Sequence, residues 1–185
     1  MSKLLYSATM SLDGFIAGPD GDVSWLVDYM KPNPDIDGIA ELIGAMLVGA
    51  RTFSGDDPNR GTDKEGPVSG TWHGPQFVLT HRPFPPAPGI TFLDDLPAAV
   101  AAARAAAGDR YVNVLGADVA RQCLALGLID EVLMVIAPVL LGAGTPMFSG
   151  GADNPVDPVK LERIRLSSTP LVTNAWFRVV RPVPA

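Results

Sequence analysis

The stretch from Leu128 to Phe148 constrains this chain most. It opens with Leu128-Ile-Asp-Glu, runs through the apolar segment Val132 to Ala137, stops at Pro138 and passes into a Gly142-x-Gly144 loop. An apolar run this short, apolar on both faces, reads as a central strand of a sheet covered on both sides. Upstream, Tyr111 to Leu115 reads as another strand. It turns at Gly116 and enters a short amphipathic segment from Asp118 to Leu126, which Gly127 stops. Strand, glycine turn, helix, buried strand and glycine loop in that order form an α/β arrangement with ligand-binding loops at one edge of a sheet.

The remaining segments fit the same plan. Leu4 to Met10 alternates as a first strand, and Ser11 to Asp22 is a Gly- and Asp-rich loop. Ile36, Ile39, Ala40, Ile43 and Met46 have helical spacing, which predicts a helix capped by Asp35. Ala45 to Gly49 turns strand-like. Residues 54–75 are polar and glycine-rich without periodicity, either a flap or a disordered insertion. Phe77 to Thr80 and Ile90 to Leu93 are short strands on either side of a proline-rich connection. Asp94 or Asp95 caps an alanine-rich helix with Pro97 in its first turn and Gly108 at its end. Lys160 to Leu166 and Ala175 to Val180 form an antiparallel hairpin. The expected fold is α/β: a mixed, mostly parallel sheet with helices on both faces, in one domain over 1–185.

Composition excludes several classes. A net charge of −6 argues against a nucleic-acid binder, though it leaves room for a local basic pocket. No apolar run approaches the roughly 20 residues that span a bilayer, and no signal peptide is evident. Cys123 is the sole cysteine, which fits a cytoplasmic protein without disulfides; it shares a helical face with Val119 and reads as packing. Two histidines, His73 and His81, are too few for a histidine metal site, and no metal is expected. The alternate spacing of Asp20, Asp22 and Ser24 lacks the glycine and glutamate of a calcium loop and reads as a turn. No nucleophile elbow, P-loop or complete Gly-x-Gly-x-x-Gly is present.

Phosphate handling remains. Gly49-Ala50-Arg51-Thr52 puts a glycine, a guanidinium and a hydroxyl directly after a strand. Arg51 there either opens a helical turn that suits a pyrophosphate or is a surface arginine. Thr80-His81-Arg82 ends a second strand, as a further phosphate site or as a solvated loop start. Gly116 allows close backbone approach before a helix, where Asp118 reads as an N-cap. Three such strand ends in one sheet suit an elongated dinucleotide.

These blocks, in this order, resemble the dihydrofolate reductase-like superfamily, in its branch similar to the C-terminal reductase domain of the bacterial riboflavin-biosynthesis deaminase-reductase. The resemblance rests on Ser11 to Ala17, Gly49 to Phe53, Val78 to Arg82, Leu115 to Gln122 and Gly127 to Phe148, and so covers nearly the whole chain. It implies a sheet of about eight strands, an NADPH-dependent reductase and a homodimer. It places Ile16 and Ala17, with Ala8 beneath, at the nicotinamide, and Gly49, Arg51 and Thr52 at the pyrophosphate. Thr80, His81 and Arg82 fall around the adenosine and its 2′-phosphate. Leu115, Gly116, Ala117, Asp118 and Val119 fall at the phosphates and the nicotinamide ribose. Asp13 either touches substrate or is a turn aspartate bonding its own backbone.

Three departures from the family pattern stand out. Ala50 replaces an arginine that commonly grips the 2′-phosphate, so NADP preference rests on His81 and Arg82, and NADH is not excluded. Leu115 replaces the first of two glycines often joined by a cis peptide, and a cis Leu115–Gly116 bond is expected. A true dihydrofolate reductase has a carboxylate shortly after a tryptophan; after Trp25 that position is Met30, with Asp28 out of phase.

The reaction expected is hydride transfer to a C=O or C=N group of a small substrate, similar to 5-amino-6-(5-phosphoribosylamino)uracil. The proton comes either from water or from a loop carboxylate, for which Asp13 and Asp28 are the catalytic candidates, and Trp72 and His73 sit on the segment that could close over the site. The alternatives are a true dihydrofolate reductase and a dinucleotide-binding module without catalysis. The segment Pro138 to Leu141 is either a dimer seam or core.

Overall fold

The computed structural model describes residues 2–148 and 158–181. The single-domain span expected over 1–185 therefore includes residues that lie outside the described ones. Strands β1 (Leu4–Ser11), β3 (Ile43–Gly49), β4 (Gln76–Leu79), β5 (Ile90–Leu93), β6 (Tyr111–Leu115) and β7 (Glu131–Ala137) pair in parallel. The hairpin β9 (Leu161–Ser168) and β10 (Thr173–Val179) adds antiparallel to β7. The result is an 8-stranded mixed sheet in the order β5-β4-β3-β6-β1-β7-β10-β9. A small second pair joins β2 (Phe15–Ala17) to β8 (Thr145–Pro146).

The helices lie where the apolar pattern sends them. Helix α3 (Leu96–Ala107) is capped by the Asp95 carboxylate, which accepts from Ala98 N–H at 2.8 Å, and it ends at Gly108. Helix α4 (Ala117–Ala125) buries Val119, Ala120 and Cys123. Both pack on the face formed by Leu4, Tyr6, Ala45, Leu47, Val112 and Val114. Burial pushes the Cys123 thiol up to about 12, in keeping with a packing role. Each fully buried Leu or Val here contributes roughly 1.5–3 kcal/mol.

The opposite face is covered differently. The one-turn helices α1 (Ile39–Leu42) and α2 (Ala50–Phe53) pack there with Trp72 against Ile43, Met46, Val48 and Val78. The helix expected from Ile36 to Met46 shrinks to α1, because Ile43 to Val48 are all buried and are needed as a strand between β4 and β6. Tertiary burial overrides the helical spacing. Asp35 caps nothing; its carboxylate accepts from Arg165 on β9 at 2.8 Å. Asn33 and Asn174 exchange two amide hydrogen bonds and pin this segment to β10.

Residues 54–75 are folded against the sheet, not a disordered insertion. Trp72 is buried, and its Nε1 donates to the Ile43 carbonyl at 3.0 Å, at the first residue of β3. Asp57 accepts from the amides of Asn59 and Gly66, both at 2.7 Å, and folds the segment on itself. Trp72 thus plugs the far end of β3 and does not close over the strand ends that carry Gly49, Thr80 and Gly116.

At the amino edge of the sheet, buried Glu131 accepts from Lys3 Nζ at 2.8 Å and from Tyr111 Oη and Trp176 Nε1 at 2.9 Å each. One carboxylate so ties together the starts of β1, β6 and β7 and the middle of β10. Burial works against its charge, but the bonds from Lys3, Tyr111 and Trp176 outweigh that and hold its pKa below the usual glutamate value. Glu131→Gln is expected to cost about 1–3 kcal/mol in urea denaturation at neutral pH, because a partly mismatched amide replaces a charge-assisted acceptor. A depressed folded-state pKa gives stability that is present above the unfolded value and lost as pH falls through the folded one. The gap between wild type and variant should therefore narrow as pH falls below about 4.

Candidate functional site

The register of β1 creates the cleft. It pairs with β6 only from Leu4↔Val112 to Tyr6↔Val114, but with β7 from Leu5↔Glu131 to Ser11↔Ala137. Past Tyr6 its other side has no strand partner, so Ala8 and Met10 border an open crevice over the end of β6. The chain also changes winding direction here: β1 leads to β3 across β6, and β6 leads to β7 across β1. In open α/β sheets ligands bind at such a switch point, outside the carboxyl ends of the strands.

One wall comes from β3, β4 and β6. Registers Val48↔Leu115 and Gly49↔Leu79 set the three strand ends side by side. Gly116 has φ 102°, and a Cβ there would lie 2.6 Å from Thr52 Oγ1. The turn must be glycine for both reasons, and it brings the Gly49–Thr52 and Leu115–Val119 blocks into contact. No side chain caps the start of α4, so its first turn meets the crevice as bare backbone, a cradle a side chain would fill.

Asp118 is in the first turn of α4, not at its cap, which is Gly116. Its carboxylate accepts from Arg121 at 2.9 Å and from Gln122 at 3.0 Å. Burial opposes its charge, yet these bonds and the nearby Arg51 guanidinium hold its pKa low. The Leu115–Gly116 bond is trans, as are all peptide bonds among the described residues, contrary to the cis bond expected. The positive φ of Gly116 makes the turn without it.

At the end of β4, buried Thr80 closes a tight turn: its Oγ1 accepts from Arg82 N–H at 3.0 Å and donates to Arg82 O at 3.1 Å. His81 and Arg82 are left exposed at the rim. Sequence reasoning missed an aromatic trio beside them. Phe84 and Phe92 stack with centroids 5.3 Å apart, and Phe53 meets both edge-on at 5.5 Å. Phe53 closes the Gly49–Phe53 block, and that adjacency was the available signal.

The opposite wall comes from β1, β2 and the β7–β8 loop. Ala8 and Ile16 are half-buried on the α4 side of the sheet, and Ala17 is buried. Gly144 has φ 135°, and a Cβ on it would collide with the Ala17 carbonyl, so only glycine lets this loop close on β2. Asp13 joins the two loops. It accepts from Ser11 Oγ at 2.6 Å, from Leu141 N–H at 3.1 Å and from Gly142 N–H at 2.7 Å. Ser11, fully buried, accepts in turn from Phe15 N–H at 2.9 Å. The Ser11 bond first, with the Gly142 and Leu141 amides, holds the Asp13 pKa below the usual aspartate value. Ser11 and Gly142 were quoted in the sequence blocks without this role.

Asp28 lies apart from this clamp, exposed at the end of the 3₁₀ turn Ser24–Asp28. Met30 faces Asn59, whose Nδ2 approaches Met30 Sδ at 3.8 Å. Leu140 is 69% exposed, so the Pro138–Leu141 segment is not core at that residue. Asp13→Ala is expected to free the Leu141 and Gly142 amides. Their hydrogen-exchange protection should fall while that of the β1 and β7 amides is kept; unchanged protection at both would mean the clamp does not hold the loop.

Comparison with known proteins agrees with this architecture. Residues 2–171 match the family described as the RibD C-terminal domain. The uncharacterized protein YyaP of Bacillus subtilis (strain 168) is 26% identical over 159 residues, 79% of this chain and 80% of its own. A candidate riboflavin biosynthesis protein from Shewanella sp. PV-4 superposes with a TM-score of 0.72 at 22% identity, over 98% of this chain and 100% of its own. The diaminohydroxyphosphoribosylaminopyrimidine deaminase/5-amino-6-(5-phosphoribosylamino)uracil reductase of Thermotoga maritima gives 0.67 at 18% identity, over 97% of this chain and 57% of its own. Dihydrofolate reductase from Enterococcus faecalis, complexed with NADP(H), gives 0.60 at 17% identity, over 96% of each chain. At these identities the structures speak for the fold, which is dihydrofolate reductase-like. With the family match spanning most of its length, the chain belongs to the RibD C-terminal domain family, that of the riboflavin-biosynthesis reductases.

Proposed function

We propose that this chain, acting as one domain, is an NADPH-dependent reductase that delivers a hydride to a C=O or C=N group of a small molecule. The observation that carries the reading is the crevice left where β1 outruns β6, walled by the bare Gly116 turn and Thr52 on one side and the clamped β1–β2 and β7–β8 loops on the other. Family membership and the fold shared with an NADP(H)-complexed dihydrofolate reductase support it. In this reading the protein is a homodimer, as the resemblance implies, and cytoplasmic, in keeping with its single cysteine. Among the described residues no helix is long and apolar enough to cross a membrane.

Each block has a task. Thr80, His81 and Arg82 hold the adenosine and its 2′-phosphate, with the Phe53–Phe84–Phe92 trio as a firm apolar wall beside them. Gly49, Arg51 and Thr52, with Leu115, Gly116, Ala117, Asp118 and Val119, hold the phosphates and ribose through backbone N–H groups and one guanidinium. Ala8, Ile16 and Ala17 form the apolar seat of the nicotinamide. When bound, the reduced nicotinamide supplies the hydride and its electron pair. The accepting carbon gains C–H, and its oxygen or nitrogen takes a proton.

That proton comes from water. Asp13 is held ionised by its three donors and serves to position the loops, while Asp28 is exposed away from the clamp. Rate then derives from alignment in a partly dry cleft rather than from a side-chain acid. Dihydrofolate turnover is not expected, since Met30 occupies the position where folate reduction needs a carboxylate.

Titration with NADPH and NADH, followed by quenching of Trp25, Trp72 and Trp176, tests the reading. Micromolar NADPH affinity with NADH about tenfold weaker is expected, and His81→Ala with Arg82→Ala should erase the difference. Equal affinities in the wild type would mean that Ala50 has removed the 2′-phosphate preference. Binding of neither would overturn the reading. Gly116→Ala should weaken NADPH by at least about tenfold, because its Cβ strains the backbone and displaces Thr52.

A further inference from the structure

Positive charge is unevenly divided along the carboxyl edge. The β3–β4–β6 side carries Arg51, His81, Arg82 and Arg121. The β1–β7 side is built from two stretches nearly free of cations. Between Lys3 and Arg51 the only basic residue is Lys31, and between Arg121 and Lys160 there is none. These stretches supply β1, β2, the 3₁₀ turn at Ser24–Asp28, β7, the Asp13 clamp and β8. Because the cation count is read from the sequence, it holds for every residue of both stretches.

What this side presents instead is apolar and acidic. Leu12 is 64% exposed, Leu140 69% and Phe148 46%, all three on loops at this edge. Leu12 N–H donates to the Val139 carbonyl at 2.8 Å, which sets Leu12 beside the start of the Leu140 loop. Phe148 packs edge-on against Tyr6, with ring centroids 5.6 Å apart, next to half-buried Ala8 on the same face of β1. From Ser11 to Asp37 the chain has six aspartates (13, 20, 22, 28, 35 and 37) against the one lysine. Asp13 is held ionised by its donors. Arg165 reaches this segment but is already paired with Asp35 at 2.8 Å.

A phosphate monoester held in a reductase site needs cations or a bare helix start to replace its hydration. Among the described residues the one bare start of a full helix, that of α4, lies on the side assigned to the cofactor. We infer that the substrate of this protein is an uncharged, largely apolar carbonyl or imine compound, and not a sugar phosphate. The inference rests on the reductase reading and gives its substrate class. Leu12, Leu140 and Phe148 take up the apolar body, while the clamp carboxylate and the neighbouring aspartates repel an anion. Within the two stretches that build this side, Lys31 is the only cation available to the phosphoribosyl group named for the Thermotoga maritima relative.

Two matched pairs test it: benzaldehyde against 4-carboxybenzaldehyde, and 5-amino-6-ribosylaminouracil against its 5-phosphate. For each compound, thermal shift is measured with and without NADP, and NADPH oxidation is followed at low salt. The neutral member of at least one pair should shift the melting temperature and show kcat/KM at least about tenfold above its anionic partner. Leu140→Lys, which adds a cation at an exposed position, should narrow that ratio, as should added salt.

An equal or better anionic member in both pairs would overturn the inference, as would absence of both binding and turnover for every neutral member. If NADPH itself does not bind while the neutral member still shifts the melting temperature more than the anion, the reductase reading falls and the preference of the pocket stands. If NADPH binds and the anionic member is equal or better in both pairs, the reductase reading stands and the substrate class falls.

Discussion

Parallel pairing of β1 with β7 beyond the end of β6 is the constraint on which the rest of this structure depends. Of the eight residues of β1, seven pair with β7 on one side but only three pair with β6 on the other. The unmatched length leaves polar backbone and the side chains of Ala8 and Met10 at the edge of a crevice instead of under a neighbouring strand. Everything placed there by other elements, Gly116 with Thr52 on one side and the β2–β8 pair on the other, is arranged around that gap. A strand buried on both sides to its end would leave no such space.

The two ends of the sheet use charge for different purposes. At the amino edge Glu131 is buried and satisfied by three donors from Lys3, Tyr111 and Trp176, so its charge serves cohesion. The cost of burying a carboxylate is offset only because each partner is in place. At the carboxyl edge the ionised group is Asp13, in an exposed clamp. Its partners are mostly main-chain amides of a glycine loop. That arrangement fixes loop position at little desolvation cost. It also leaves negative charge at the entrance, which bears on what can enter.

Much of this was legible from residue order. The mixed sheet, the α3 cap at Asp95, the stop at Gly108, the β9–β10 hairpin and the strand ends at Gly49, Thr80 and Gly116 each follow from local turn chemistry or period. Those signals act within a few residues. Failures occurred where a distant neighbour decided the outcome. Ile36 to Met46 has helical spacing, but the gap between β4 and β6 needs a strand, and burial there outweighs propensity. Trp72 read as part of either a flap or a disordered insertion; a hydrogen bond to Ile43, 29 positions earlier, makes it a plug at the far end of β3. Asp118 read as a cap, yet Gly116 turns so sharply that the cap falls two residues earlier and Asp118 lies in the first turn.

The same division holds for function. By itself the sequence determined the order of strands and glycine turns, and it determined where cations occur along the chain, because both are properties of position that no folding can change. Tertiary structure alone decided that Asp13 is a clamp and that Leu12 and Leu140 stand together in the open. Each of these depends on which backbone amides and side chains, more than a hundred residues away for Asp13 and Leu12, are brought to within a few ångströms. Sequence spacing carries local geometry. Hydrogen-bond partners and exposure are set by register between strands, and register is a sum of many contacts that no single motif encodes.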